Sequence, residues 1–401
     1  MLIKRRNFLQ ISSLATTALM MPKFLKAFEN RQFSSVPAGN KVVVVIQLSG
    51  GNDGLNTVIP IGNDIYYRER PRLGINKNRS LILNDTAALH GALTGFKDLY
   101  ADGSLGILNN VGYPTPDRSH FRSMDIWQTA SASNEYLQSG WLGRYLDERC
   151  SHCSAPTQIL EIDDVLSLAL KGANNKGLAF KDPRRLYNTS HQKYFKELAD
   201  AHHAAQHEQP VNYLYKVMSE TLSSADYIFE QSKKNVSSIT YPATEIGKNM
   251  KTVASLILSD INTSVYYVSL GSFDTHVAQE MQQQRLFAEL NGAVSAFVKD
   301  MKSNNRFQDV LLFTFSEFGR RVSQNASGGT DHGTANNMFF IGGGLKQKGL
   351  LNAMPDLHDL DEGDLKYKVD FKEVYATVLN RWLAADDKAV LNGSFKHLDF
   401  I

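Results

Sequence analysis

The stretch VLLFTFSEFGRRVSQNASGGTDHGTANNMFFIGGG, residues 310–344, decides the fold class. Two apolar runs bracket it, at 310–315 and 338–341. Short continuous runs of this kind read as strands covered on both faces. Between them lie Glu317, Arg320, Arg321, Asp331 and His332, in a loop rich in small residues. A carboxylate placed directly after a core strand is costly to desolvate unless it is paired or bound to a cation. The stretch therefore predicts a buried sheet with chemistry-capable residues at its edge.

The same pattern extends outward. KVVVVIQL (41–48) is an apolar, β-branched run followed at once by SGGNDGLNTVIP. Further strands are predicted at 105–111 and 263–271. SHFRSMDIWQTAS reads as a helix with Ser119 near its N-cap. A long helix is predicted at about 279–303 and an amphipathic one at 371–383. Residues from about 192 to 260 are more polar and mainly helical, which predicts a helical insertion or cap. Strands alternating with helices give an α/β class: three layers, with a mostly parallel central sheet flanked by helices. One domain over residues 40–401 accommodates the whole pattern.

Ligands of such sheets bind beyond the carboxyl ends of the strands. Asn52 and Asp53 follow the first strand, Asp274 and His276 a later one, and Glu317 the next, while Asp331 and His332 precede the last. Each has a plain alternative. Asn-Asp-Gly makes Asx turns readily. Asp274 and His276 also suit a surface turn, and Arg320 or Arg321 could neutralise Glu317. Asp331 and His332 also suit a flexible loop. Ser119 is an ordinary N-cap residue, yet a hydroxyl there feels the positive helix end, which favours an attacking alkoxide. Arg118 and Arg122 could hold an anion. Carboxylates with imidazoles suit zinc, manganese or iron rather than a soft-metal site. No G-x-S-x-G or GK[ST] motif is present.

The chain of 401 residues is 42% hydrophobic and 21% charged, with a net charge of +2. This balance gives no reason to expect nucleic acid or an acidic membrane as partner. The N-terminal text LIKRRNFLQISSLATTALMMP pairs Arg5 and Arg6 with an apolar run. It reads as a twin-arginine export signal, with signal and linker over residues 1–39. The apolar run is shorter than the roughly 20 residues of a membrane span. Expected partners are therefore the twin-arginine translocation machinery and a small ligand, with a periplasmic or extracellular location and no stable membrane anchor after export. Cys150 and Cys153, in CSHC, read as a disulfide or free thiols rather than half of a zinc site.

These motifs together resemble the family catalogued as domain of unknown function 1501. The resemblance is carried by VIQLSGGNDGLNTVIP, LHGAL, NNVGYP, RSHF, GSFDTH, SEFGRR and GTDHGTAN, and runs over most of residues 41–384. That family is grouped by distant similarity with the alkaline phosphatase and sulfatase superfamily. The resemblance implies an alkaline-phosphatase-like fold with metal ions at the strand ends. It places Asp53, Asp274, His276, Glu317, Asp331 and His332 as metal ligands and Ser119 as nucleophile. Where the superfamily has Ser-Asp-His-Gly, this chain has Ser316-Glu317-Phe318-Gly319, so Phe318 removes one ligand.

The implied activity is metal-dependent hydrolysis of a phosphate or sulfate ester. The expected cofactor is zinc, manganese or calcium. Asn52, His120, Arg122 and Arg320 are the residues expected to position the small anionic substrate. The alternative is a catalytically inactive exported binding or assembly protein on the same fold. An oxidoreductase finds no haem, flavin or iron–sulfur signature in the sequence.

Overall fold

A computed structural model of the chain describes residues 41–149, 156–193, 209–235 and 237–401. The stretch read as an export signal, residues 1–39, and Cys150 and Cys153 lie outside these residues. No helix among the described residues is long and apolar enough to cross a membrane.

Nine strands form the central sheet among the described residues. They are β1 (Val42–Leu48), β2 (Leu105–Gly112), β3 (Ile159–Glu161), β4 (Leu178–Ala179), β5 (Val265–Leu270), β6 (Val310–Phe315), β7 (Asn336–Gly342), β8 (Gly349–Leu350) and β9 (Val369–Asp370). The order is β8-β2-β7-β6-β1-β5-β3-β4, with β9 also beside β2. Every pairing is parallel except the two made by β7, which runs antiparallel to β6 and β2.

β1 shows why the sheet is buried on both faces. All seven of its residues are buried, and they alternate between two cores. Val42, Val44, Ile46 and Leu48 enter one cluster; Val43 and Val45 enter the other. The period of two residues sends successive side chains to opposite faces. The first cluster takes helix α1 (Thr94–Ala101), through Phe96, and the helices over Glu245–Leu258 and Gln279–Ser303. The second takes α2 (His120–Thr129) and α3 (Trp141–Arg149), through Trp127 and Trp141. Trp127 lies flat between Phe315 and Phe371, at ring separations of 5.1 and 4.3 Å.

Helix α4 (Pro183–Ser190) precedes the stretch predicted as a helical insertion, which holds α5 (Gln209–Lys234) and α6 (Glu245–Leu258). Its last helix is not a cap. Met250, Val253, Ala254 and Leu256 are fully buried against the first core. Next comes α7 (Gln279–Ser303), whose Leu286, Phe287, Leu290 and Val294 face the same core. The helix predicted at 371–383 is α8 (Phe371–Thr377) followed by a π turn, Val378–Trp382.

The direction of β7 resolves an oddity of the sequence. Asp53, Asp274 and Glu317 follow parallel strands, whereas Asp331 and His332 precede one. Because β7 is antiparallel, its beginning lies at the edge where β1, β5 and β6 end. All these loops therefore share one rim of the sheet.

One buried acid is placed away from that cluster. Glu161 ends β3, and its carboxylate accepts hydrogen bonds from the backbone N–H (2.6 Å) and hydroxyl of Ser167. Burial pushes its pKa up to about 7 from the usual 4.5 despite those bonds. A raised pKa stabilises the fold fully below the ordinary value and loses that contribution as pH rises through the folded value. Stability should therefore fall by about 3 kcal/mol from this group between pH 4.5 and 8. Chemical denaturation across that range should show the slope in the native protein and a flatter curve in Glu161→Gln.

Candidate metal centre

Three loops build the rim, and close approach sets their sequence. Gly50 has φ +118°, and a Cβ there would lie 2.5 Å from the backbone nitrogen of Asp274. Gly51 has φ +72°, and a Cβ there would meet the Phe318 ring at 2.2 Å. Only glycine fits such positions without strain. The loop bearing Asp274 and His276 is entered and left through left-handed residues, Ser272 (φ 76°) and Ala278 (φ 47°).

Arg320 ties these loops together. Its side chain is fully buried. It donates from Nε to the Gly51 carbonyl (2.6 Å), from Nη1 to Thr330 (2.9 Å), and from Nη2 to Gly50 and Phe273 (3.0 Å for the latter). Nη2 also reaches Asp274 Oδ1 at 2.7 Å. Arg320 was expected to position substrate. It cannot, because every nitrogen is spent on the protein.

Around Asp274 the histidines converge. His276 Nε2 lies 3.0 Å from Asp274 Oδ1, His332 Nε2 3.2 Å, and His120 Nε2 3.5 Å. His276 Nε2 and His332 Nε2 are 3.0 Å apart. The opposite ring nitrogens all face acceptors. His120 Nδ1 meets Glu317 Oε1 at 2.9 Å, His276 Nδ1 meets Asp331 Oδ1 at 3.1 Å, and His332 Nδ1 meets the Arg118 carbonyl at 2.8 Å. A carboxylate or carbonyl only accepts, so each Nδ1 carries a proton toward its partner, while the three Nε2 atoms gather around Asp274. His120 Nε2 is buried with no hydrogen-bond partner. One orphaned nitrogen and several facing acceptors are what a cation site looks like before its charge is counted.

The electrostatics agree with the geometry. Burial raises the Asp274 pKa, but hydrogen bonds from Arg320 and His332 outweigh it and bring the value to about 2. The hydrogen bond to Glu317 raises the pKa of His120, while burial lowers that of His332 and favours its neutral ring. Hydrogen bonds from Asn325 and His276 lower the pKa of Asp331. Phe318, which stands where a ligand histidine was expected, packs on His120 and His332 at ring separations of 4.8 and 4.6 Å. It is a wall that fixes two imidazoles.

The expected site residues thus separate into groups. His120, Asp274, His276 and His332 meet. Glu317 and Asp331 stand one layer behind, each holding a histidine. Asp53, expected as a ligand, is set apart: its fully buried carboxylate pairs with Arg70 at 2.6 Å and accepts from Gln279 and from Leu55 N (3.2 Å). Asn52 was expected to bind substrate, but it is buried and its amide donates to Thr57 Oγ1 at 2.8 Å. Arg122, expected likewise, donates to the carbonyls of Ala132 and Ser133 (both 3.0 Å) and stacks on Tyr136. Ser119 is the exposed N-cap of α2, and its hydroxyl makes no capping bond. His120 was expected to touch substrate rather than metal. Its place directly after the N-cap of a helix at this rim is the signal that points to it. The Arg118 carbonyl is a backbone group and leaves no signal in the sequence.

A family model described as "Protein of unknown function (DUF1501)" matches residues 104–394. The chain belongs to this family. The matched span begins later than the resemblance read over 41–384, and leaves β1 and the Gly50–Asp53 turn outside it. No curated protein matches the chain. Among solved structures, this DUF1501 member is similar to the PsFucS1 sulfatase from Pseudoalteromonas sp., at 11% identity over 90% of this chain and 71% of that one, with a TM-score of 0.40. It is similar to the phosphonate monoester hydrolase SpPMH from Silicibacter pomeroyi, at 7% identity over 89% and 75%, TM-score 0.42. It is also similar to TAB5 alkaline phosphatase, in a mutant with Mg bound in the M3 site, at 9% identity over 76% and 92%, TM-score 0.33.

Replacing Arg320 tests the clamp. Arg320→Met leaves four carbonyls and Asp274 without their donor and should cost about 3–5 kcal/mol. Arg320→Lys should recover only part of this, because an ammonium cannot span the fork. Chemical denaturation measures both. A loss under about 1 kcal/mol for the Met variant would mean that the loops hold themselves.

Proposed function

We propose that this protein is an exported, metal-dependent hydrolase of an anionic ester, a phosphate or a sulfate. The observation that carries the reading is the convergence of imidazole Nε2 atoms on Asp274 at a rim that solvent reaches. The Asp274 side chain is 47% exposed and that of His276 41%. Such openness suits a catalytic centre, where a substrate must approach, better than a closed structural one. The twin-arginine reading of the N-terminus supports export to the periplasm or beyond.

The residues fit a divalent ion: a buried orphan nitrogen, three imidazole Nε2 atoms gathered on one carboxylate oxygen, and an acceptor holding the far nitrogen of each ring. Asp274, His120, His276 and His332 would hold it. When bound, such an ion supplies Lewis acidity and lowers the pKa of a nucleophile. The chain supplies the rest. Arg320 keeps Asp274 ionised and in place. Glu317, Asp331 and the Arg118 carbonyl hold the imidazoles. Ser119 lies in the chain between Arg118 and His120, which both touch the cluster, and at the positive end of α2. Its Oγ is the candidate nucleophile. Its bond to phosphorus or sulfur forms as the ester oxygen leaves, and the hydroxyl proton ends on the departing alcohol. Water then breaks the serine ester, releases the anion and restores the hydroxyl.

One observation favours the second reading, a non-enzymatic binding or assembly protein. Asn52, Arg122 and Arg320, three of the residues expected to hold an anion, are all committed inside the protein.

The test is turnover of p-nitrophenyl phosphate, sulfate and phosphonate esters by protein loaded with zinc, manganese or calcium in turn. At least one pairing should turn over. Ser119→Ala should lower kcat/KM on it by roughly 10³-fold or more, and Asp274→Ala should abolish it. Undiminished turnover by Ser119→Ala would remove the nucleophile assignment. Silence of the native protein on every pairing would favour the binding protein.

A further inference from the structure

We propose that the centre selects one late first-row divalent ion, zinc or a close relative, on His120, His276, His332 and Asp274, with Glu317 and Asp331 as positioning carboxylates rather than ligands. The inference rests on the metal-dependent reading above and narrows it, since the sequence left zinc, manganese and calcium open.

The donor set decides the class of ion. The atoms that converge are imidazole nitrogens and a single carboxylate oxygen. Calcium takes six to eight oxygen ligands, and magnesium keeps several waters on an oxygen octahedron. Imidazole suits zinc, copper, iron and nickel. The two other carboxylates at hand are already engaged. Glu317 Oε1 accepts from His120 Nδ1 and from the Gly50 backbone N–H at 2.8 Å. Asp331 Oδ1 accepts from His276 Nδ1 and from Asn325 Nδ2 at 3.2 Å. A carboxylate behind a ligand histidine fixes its tautomer and raises its basicity.

The spacing also fits. Zinc–ligand distances near 2.0–2.2 Å in a tetrahedron give ligand–ligand edges of about 3.3–3.6 Å. The edges described here are 3.0 Å for His276–Asp274, 3.2 Å for His332–Asp274, 3.5 Å for His120–Asp274 and 3.0 Å for His276–His332. One ligand atom each from His120, Asp274 and His332 lies within 4.8 Å of the others. The four edges to Asp274 and between His276 and His332 therefore lie within a few tenths of an ångström of tetrahedral values. No second group of three candidate ligands is found among the described residues, and Asp53, expected as a ligand, is closed off by Arg70 and Gln279.

The experiment titrates chelator-stripped full-length protein with zinc, cobalt, manganese, calcium and magnesium separately, by calorimetry, and records the visible spectrum of the cobalt form. One zinc per chain should bind at least roughly 10³-fold more tightly than calcium or magnesium. Cobalt should show the intense bands of a four- or five-coordinate site. Asp331→Asn, at a half-exposed position, and Glu317→Gln should each weaken zinc by about 10- to 100-fold while keeping one ion per chain. His120→Gln should weaken zinc further and change the cobalt bands. Tighter calcium or magnesium than zinc would overturn the proposal. So would unchanged zinc affinity and cobalt bands in His120→Gln, or two zinc ions per chain. Zinc binding as described with no ester turnover would sustain this proposal and sink the hydrolase.

Discussion

The rim of this protein depends on one buried guanidinium. Arg320 gathers the carbonyls of Gly50, Gly51, Phe273 and Thr330, which belong to three loops distant in sequence. A buried cation is costly unless it is paired and fully hydrogen-bonded. Here the planar fork meets several acceptors and one carboxylate, Asp274, which satisfies that requirement. The same bonds that settle the charge fix the loops, and so fix what the loops carry. A short antiparallel pairing of Arg320 with His332, completed by Arg321 N to the Asp331 carbonyl at 3.0 Å, brings the second arm of the loop back to the same place.

From that clamp the arrangement of the centre follows outward. Asp274 is held by Arg320 from behind and presents Oδ1 to the histidines in front. Phe318 walls the His120 and His332 rings, and the glycine at 51 makes space for Phe318. Glu317 reaches back to Gly50 and forward to His120, so it couples the first loop to helix α2. Asp53 does related work one layer deeper, where its pair with Arg70 anchors the turn after β1; Arg70 also donates to the carbonyls of Val322 and Arg321, both at 2.8 Å. Two buried arginines, each paired with an aspartate, thus stand beneath one imidazole cluster.

Much of the scaffold is legible in the sequence because burial on both faces leaves a simple mark. The runs at 41–48 and 310–315 carry no charge after Lys41 and correspond to β1 and β6. Ser119 as N-cap and the span of α7 follow from local chemistry alone. The centre is only half legible. Asp274, His276 and His332 are identifiable by residue type and by place at strand ends. The expectation that a carboxylate after β6 needs a partner is met, but the partner is His120, not Arg320 or Arg321. What separates a ligand from a clamp is who reaches whom across the fold. Arg70 pairs with Asp53 and Gln279 covers it, and neither contact has a local signature. For the same reason Arg122 and Arg320, two arginines of ordinary appearance, read as anion holders when they serve backbone carbonyls.

The most direct measurement is anomalous diffraction at the zinc edge from crystals grown with zinc. One peak is expected, within about 2.0–2.2 Å of Asp274 Oδ1 and of the histidine Nε2 atoms, with Glu317 and Asp331 outside ligand distance. A peak on Asp53 or Glu317, or none while His120, His276 and His332 keep their hydrogen bonds, would contradict the centre described here.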